Sequence, residues 1–257
     1  VILRFLGTHN AESKDTRLAS FIIDDELAVD AGNLASELTF KEQEKIKAIL
    51  LTHGHYDHIR GIPAFAFNNT DHTTKVYATS QTFKILSSHL VDGVIYPKFT
   101  KRIPFFLEKP CLEYIEIEPF ETIKILNYEV LPLPVNHTII SVGYEITSKD
   151  GKKVFYTGDT GPGLSALWRH ISSDLIIIDL TFPNRLENRA INSKHLCPRL
   201  LKRELKELHR IMGYFPKIIV THLSPKDEEE IKKEIKDVSK ELDLQIEIAY
   251  EGDKIKI

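Results

Sequence analysis

The chain has 257 residues, a formal net charge of -3, 28% charged residues and 42% hydrophobic ones. This is the composition of a globular protein and excludes a disordered or overall basic chain that would draw in a nucleic-acid polymer through its net field. Two cysteines, Cys111 and Cys197, exclude a disulfide framework. With no membrane-length apolar run and no signal-peptide pattern, a cytoplasmic protein without membrane contact is expected.

In chain order, residues 2–6, 19–24 and 27–30 read as short strands between turn residues. Residues 40–45 suit a short helix. Residues 46–51 form a strand that delivers Leu51-Thr52-His53-Gly54-His55-Tyr56-Asp57-His58-Ile59 at its end. A helix is expected over 57–65, a strand over 75–78, and a helix over 80–90 with Ser80 as N-cap. Residues 91–112 interleave Pro97, Pro104 and Pro110 with aromatic and basic side chains. That segment reads equally as a surface loop or as a lid over a substrate site.

Strands resume over 112–117, 122–125, 129–133, 141–147 and 153–157, the last two joined by a turn at Asp150-Gly151. A helix over 163–170, a strand over 175–179 and a helix over 196–212 follow. The latter carries an apolar stripe of Leu196, Leu200, Leu208 and Ile211 and ends at Gly213. After a strand over 217–220, Ser224 and Pro225 mark the start of a last helix, buried through Ile231, Ile235, Val238 and Leu242. Strands over 245–249 and 254–257 close the chain. No shift in composition divides it, so one domain over residues 1–257 is expected. The alternation of strand-rich and strand–helix stretches predicts an α+β fold, a four-layer αββα sandwich with helices outside two facing sheets.

The loop after residue 51 is the strongest functional signal. Three histidines and an aspartate within six residues, His53, His55, Asp57 and His58, let one short loop aim donors at two nearby points. Neutral imidazole and carboxylate suit zinc, iron or manganese. Two metals need further ligands, and four residues stand directly after predicted strands: Asp30, His137, Asp159 and His222. Several such residues beside a dense histidine loop point to one site. His9, His72, His89, His170 and His209 lack this context and read as surface or capping residues.

With its later Gly158-Asp159 and Thr221-His222 elements in order, the chain resembles the metallo-β-lactamase-fold hydrolases from end to end. That resemblance implies a first divalent metal on His53, His55 and His137, a second on Asp57, His58 and His222, and Asp159 bridging the two. Zinc is the expected metal, with manganese or iron as alternatives. Asp30 is implied as a support for the ligand imidazoles. Two such cations make hydroxide available near neutral pH, so no serine or cysteine nucleophile is needed.

The opening Phe5-Leu6-Gly7-Thr8 resembles the ribonuclease Z-like branch. Thr181-Phe182-Pro183-Asn184 and Lys194-His195-Leu196-Cys197-Pro198 are similar to elements of class II cyclic-nucleotide phosphodiesterases, with Lys194 and Cys197 replacing the usual Gly and Thr. This implies that Asp57 and His195 act in catalysis, His195 by contacting a phosphate oxygen or protonating the leaving alkoxide. The expected substrate is a small phosphodiester, a cyclic nucleotide favoured over RNA because no basic tRNA-grasping arm is visible. Ribonuclease Z-like processing, thioesterase or lactonase action, and a diiron oxygen- or redox-binding protein are the alternatives. A β-lactamase is disfavoured because Asp159 stands where those enzymes have cysteine. Relatives of this kind often form homodimers.

Overall fold

A computed structural model describes all of residues 1–257. The first strands are β1 (Ile2–Gly7), β2 (Ser20–Ile23), β3 (Leu27–Val29), β4 (Ala48–Leu50), β5 (Thr74–Ala78) and β6 (Leu112–Glu116). The next are β7 (Ile123–Ile125), β8 (Tyr128–Pro134), β9 (Val142–Thr147), β10 (Lys153–Tyr156), β11 (Leu175–Asp179), β12 (Lys217–Thr221) and β13 (Ile246–Ile248). The last, β14 (Lys254–Lys256), returns to the first sheet, whose order is β14-β1-β2-β3-β4-β5-β6, while the second runs β13-β12-β11-β10-β9-β8-β7.

Side-chain alternation along these strands builds the layers. Leu27 and Val29 point into a central apolar layer against Val154, Tyr156 and Ile177 of the second sheet. The intervening Ala28 faces Leu34, Ile62 and Phe65 in an outer layer. On the other side Phe155, Ile176 and Ile178 face Leu200, Leu201, Leu205 and Ile231. Three layers of buried side chains between helices, sheet, sheet and helices make an αββα sandwich, as the order of elements predicted. Strands buried on both faces must be apolar throughout, which is why β11 reads Leu-Ile-Ile-Ile.

The helices are α1 (Leu34–Glu37), α2 (Phe40–Gln43), α3 (Tyr56–Ile59), α4 (Ile62–Asn68), α5 (Ser80–His89), α6 (Glu187–Ser193), α7 (Pro198–Met212) and α8 (Glu228–Leu242). Several differ from the sequence expectation. The helix expected over 57–65 is two, α3 and α4, because Gly61 presses its backbone against Ala31, N–H to carbonyl at 2.8 Å. The N-cap of α5 is Thr79, whose side chain accepts from Thr82 N–H, not Ser80. Only a 3₁₀ turn, Leu167–Arg169, forms in the 163–170 stretch, since Gly163 has a φ of 104°. Helix α6 was not expected. Helix α8 starts after Asp227, and Ser224 bonds that aspartate from the turn before it at 2.9 Å. In the 91–112 segment Val91, Phe99, Leu107 and Cys111 are buried against the outer layer, while Val94, Ile95, Phe105 and Phe106 are exposed.

Strand direction gathers the candidate residues. Strands β3 and β4 are parallel, as are β10, β11 and β12, and β8 runs the same way as β10 because each is antiparallel to β9. The residues after β3, β4, β8, β10 and β12 therefore emerge at one edge. Two tyrosines tie the sheets there: Tyr144 donates to the Leu51 carbonyl at 2.7 Å and Tyr156 to Asp30 at 3.1 Å. Gly32 lets the histidine loop lie flat on β3, since a Cβ there would sit 2.0 Å from the Asp57 carbonyl oxygen. Gly32→Ala should therefore cost about 2 kcal/mol, read as a fall in the denaturation midpoint; an unchanged midpoint would refute the tight contact.

Candidate metal centre

Two groups of donors converge at this edge. His53, His55, His137 and Asp159 offer ligand atoms within 4.8 Å of one another, and so do Asp57, His58, Asp159 and His222. Asp159 belongs to both. In the first group His53 Nε2 and His137 Nε2 each lie 3.0 Å from His55 Nδ1. The edge of a tetrahedron with metal–nitrogen bonds of 2.0–2.1 Å is about 3.3 Å, so this spacing suits one cation. In the second, His222 Nε2 lies 3.2 Å from Asp57 Oδ2 and 3.3 Å from Asp159 Oδ1. His58 Nε2 and Asp159 Oδ1 face each other at 3.1 Å, yet both are buried without a hydrogen-bond partner. Buried polar atoms left this way are costly unless something else binds them.

Electrostatics agrees with that reading. Burial pushes the His53, His55 and His137 imidazoles below their ordinary value, which keeps lone pairs free for a metal. At His58 burial opposes the charge, but Asp159 and Asp30 outweigh it and lift the group well above its usual range. Burial works against ionisation of Asp159 too, yet His222 and His58 hold it well below the carboxylate range. Asp57 is likewise held down by His58 and His222 against the effect of burial. Asp57 and Asp159 are thus held as carboxylates where the second group converges, and the proton His58 carries toward Asp159 stands where a cation would bind. Both clusters suit a divalent metal centre.

The tautomers are set from behind. Asp30, fully buried, accepts from Thr52 N–H at 2.9 Å, from Thr52 Oγ1 at 2.9 Å and from His58 Nδ1 at 2.7 Å. An ionised carboxylate only accepts, so the Thr52 hydroxyl gives Asp30 its proton. Its oxygen is then free to accept from His53 Nδ1 at 3.0 Å. A second carboxylate repeats the pattern. Asp179 accepts from Thr160 N–H at 3.1 Å, from Thr181 Oγ1 at 2.9 Å and from His195 Nδ1 at 2.6 Å, and Thr181 Oγ1 lies 2.9 Å from His222 Nδ1. His137 Nδ1 donates to the Lys194 carbonyl at 3.1 Å. Nε2 is left facing the centre in His53, His58, His137 and His222.

His195 is brought to the same place. Its ring stacks on His222 with centroids 5.3 Å apart, and with Asp159, Asp179 and His222 it forms a third donor group. Burial opposes its protonation, but Asp179 outweighs that and raises it to about 9. Every residue singled out for the site, Asp30, His53, His55, Asp57, His58, His137, Asp159, His195 and His222, lies here. Asp179, Thr52 and Thr181 were not anticipated, although Asp179 carries the same signal as Asp30: an aspartate at the end of an apolar strand. His9, expected at the surface, is buried and bonded to Glu251 at 2.6 Å, with Glu228 at 3.5 Å. The segment after β1 pairs it with Leu18 and Leu223, beside the first residue of α8.

The family model described as "Beta-lactamase superfamily domain" matches residues 28–223. The chain is 26% identical over 251 residues to a protein named ribonuclease Z from Borreliella afzelii, covering 76% of this chain and 78% of that one. It is 24% identical over 234 residues to a 3′,5′-cyclic-nucleotide phosphodiesterase of Schizosaccharomyces pombe, covering 81% of this chain and 62% of the other. It spans 46% of the length of an RNase J-like protein of Methanocaldococcus jannaschii, to which it is 24% identical over 210 residues, 80% of this chain. Among solved structures, unliganded yeast PDE1 superposes with a TM-score of 0.81 at 18% identity, covering 100% of this chain and 99% of that one, a likeness of fold.

The threonine relays carry their own test. Thr52→Val and Thr181→Val should each weaken binding of one divalent cation by about 10- to 100-fold, with Ser at either position close to the parent. Competition against a chromophoric chelator reads this directly; affinities equal to the parent would remove the relay.

Proposed function

This chain belongs to the beta-lactamase superfamily, and on that premise we propose that it is a dinuclear metallohydrolase that cleaves phosphodiesters, small cyclic nucleotides in preference to RNA. It has the metallo-β-lactamase fold of a hydrolase. The finer assignment rests on one observation above others: His195, bonded to a buried carboxylate, sits against the shared donor groups.

In this reading His53, His55 and His137 hold one cation, Asp57, His58 and His222 the other, and Asp159 joins both. Bound there, two divalent cations, zinc being favoured, supply Lewis acidity that ionises water near neutral pH and neutralises charge on phosphoryl oxygens. The protein's own part is orientation and proton transfer. Asp30 and Asp179 fix the imidazoles from behind. Asp57, half-exposed beside His222, is the carboxylate open to the substrate side. His195 uses Nδ1 on Asp179, so Nε2 is the nitrogen left to give a proton to the departing alkoxide, a poor leaving group without one.

A groove of about 640 Å³ opens beside His137, lined by Ile85, Asn136, Ile139 and Ile140 among others. Its size suits a small ligand. The similarity to a named cyclic-nucleotide phosphodiesterase supports the same choice. Ribonuclease Z-like processing is the second reading, favoured by the similarity to the Borreliella protein.

The test is a hydrolysis panel with metal-loaded protein: bis-p-nitrophenyl phosphate, cyclic nucleotides, precursor tRNA, a thioester and a lactone. Cyclic-nucleotide turnover is expected; cleavage of thioester or lactone alone, or iron with visible absorption and no hydrolysis, would overturn the assignment. Asp159→Ala should lose metal and activity together. His195→Ala should keep its metal and lose about 10²- to 10⁴-fold in kcat on alkoxide leaving groups, much less on p-nitrophenolate. Equal losses on both would remove the acid role.

A further inference from the structure

Lys194 stands out within the groove. It caps α6 with a φ of 55° and a ψ of 57°, a left-handed conformation that glycine adopts freely and a side chain disfavours. Its ammonium donates to the His137 carbonyl at 2.8 Å. Its own carbonyl accepts from His137 Nδ1, so the two residues clasp each other. One of three N–H donors is used in this way, and two remain. Lys194 forms no ion pair, and none of the eleven residues lining the groove is acidic. Aliphatic walls come from Ile85, Ile139 and Ile140, the last 57% exposed. Gln81 at the rim has a side-chain amide with no protein partner.

We propose that this groove is the nucleoside-phosphate subsite of the centre, with the Lys194 ammonium meeting a phosphate oxygen and the isoleucine walls and Gln81 receiving the base. The inference rests on the phosphodiesterase reading and adds the residues that would select the substrate. A cation beside a dinuclear centre favours a ligand whose phosphate is shared between both. A flat heterocycle fits between aliphatic walls, and a primary amide can pair with its edge. The Lys194 carbonyl supports His137 whatever the side chain, so the ammonium can be removed without removing that support.

The position itself supplies a clean variant. Lys194→Gly relaxes the left-handed backbone, keeps the carbonyl on His137 and deletes the side chain with its ammonium. Binding of 3′,5′-cyclic AMP to metal-loaded protein is measured by calorimetry, and its hydrolysis alongside. Loss of one charge-assisted contact should raise Kd and KM about tenfold, with kcat little changed, full metal content, and a weaker dependence of KM on salt. Lys194→Arg should retain most of the affinity. Ile140→Asp should raise KM for the nucleotide while leaving metal content intact. Unchanged Kd and KM in Lys194→Gly would overturn the subsite, as would loss of metal with a parallel fall in kcat. If the parent cleaves bis-p-nitrophenyl phosphate but neither binds nor cleaves cyclic nucleotides, the subsite fails and the phosphodiesterase reading stands. If no phosphodiester is cleaved, that reading itself fails.

Discussion

The centre depends on the burial of Asp30. A carboxylate with no solvent contact is tolerated only when its lone pairs are filled, and here four donors fill them: Thr52 N–H, Thr52 Oγ1, His58 Nδ1 and the Tyr156 hydroxyl. Those donors come from both sheets and from the histidine loop. Satisfying one buried charge therefore fixes the loop to the first sheet and the second sheet to both. Asp30 itself has a φ of 54°, and His222 a φ of 68°. Backbone of this kind costs on the order of 1–3 kcal/mol at a residue other than glycine. It is held by Asp30 N–H on the Leu50 carbonyl at 2.8 Å and His222 N–H on the Thr8 carbonyl at 2.6 Å.

Asp179 repeats the device on the other side and adds a consequence. It supports His222 through Thr181 and His195 directly, so one carboxylate orients a donor of the second group and the adjacent imidazole together. Asp30 does the same for His58 and, through Thr52, for His53. Side chains tied in pairs cannot rotate singly. A centre built this way is preorganised, because the orienting hydrogen bonds form on folding rather than on binding.

Much of this is readable in sequence because strands buried on both faces are largely apolar, and a histidine or aspartate within a few residues of their ends stands out. Asp30, His137, Asp159 and His222 stand out on that basis, and His53, His55, Asp57 and His58 by their density in one loop. Asp179 carries the same signal as Asp30 but closes a strand whose next residues, Leu180 and Thr181, continue the apolar, β-branched run, so nothing local sets it apart. Thr52 and Thr181 carry no signal at all, since a buried threonine looks like any β-branched residue. Helix ends were misplaced where tertiary contact decides them: Gly61 against Ala31 splits one helix, and Asp227 displaces Ser224 as the cap of α8. His9 departs from its expected surface position for a related reason. Its partners Glu228 and Glu251 are more than 200 residues away in the chain, and no local pattern announces them.

The centre and the groove differ in the constraint each obeys. Behind the donors the orienting carboxylates and threonines are buried and paired, so a change there disturbs several ligands at once. Around Lys194 the walls are half-exposed, and the side chains lean on backbone carbonyls instead of on one another. Chemistry held in a rigid interior can be common to many substrates, while selection falls to the surface that substitution can alter cheaply. Lys194 sits at the join: its carbonyl serves the imidazole, its ammonium faces the groove. Its left-handed backbone closes α6, the N–H bonding the Ala190 and Ile191 carbonyls, as Asp243 closes α8. The side chain has no part in that cap, which leaves its charge to a groove without acids.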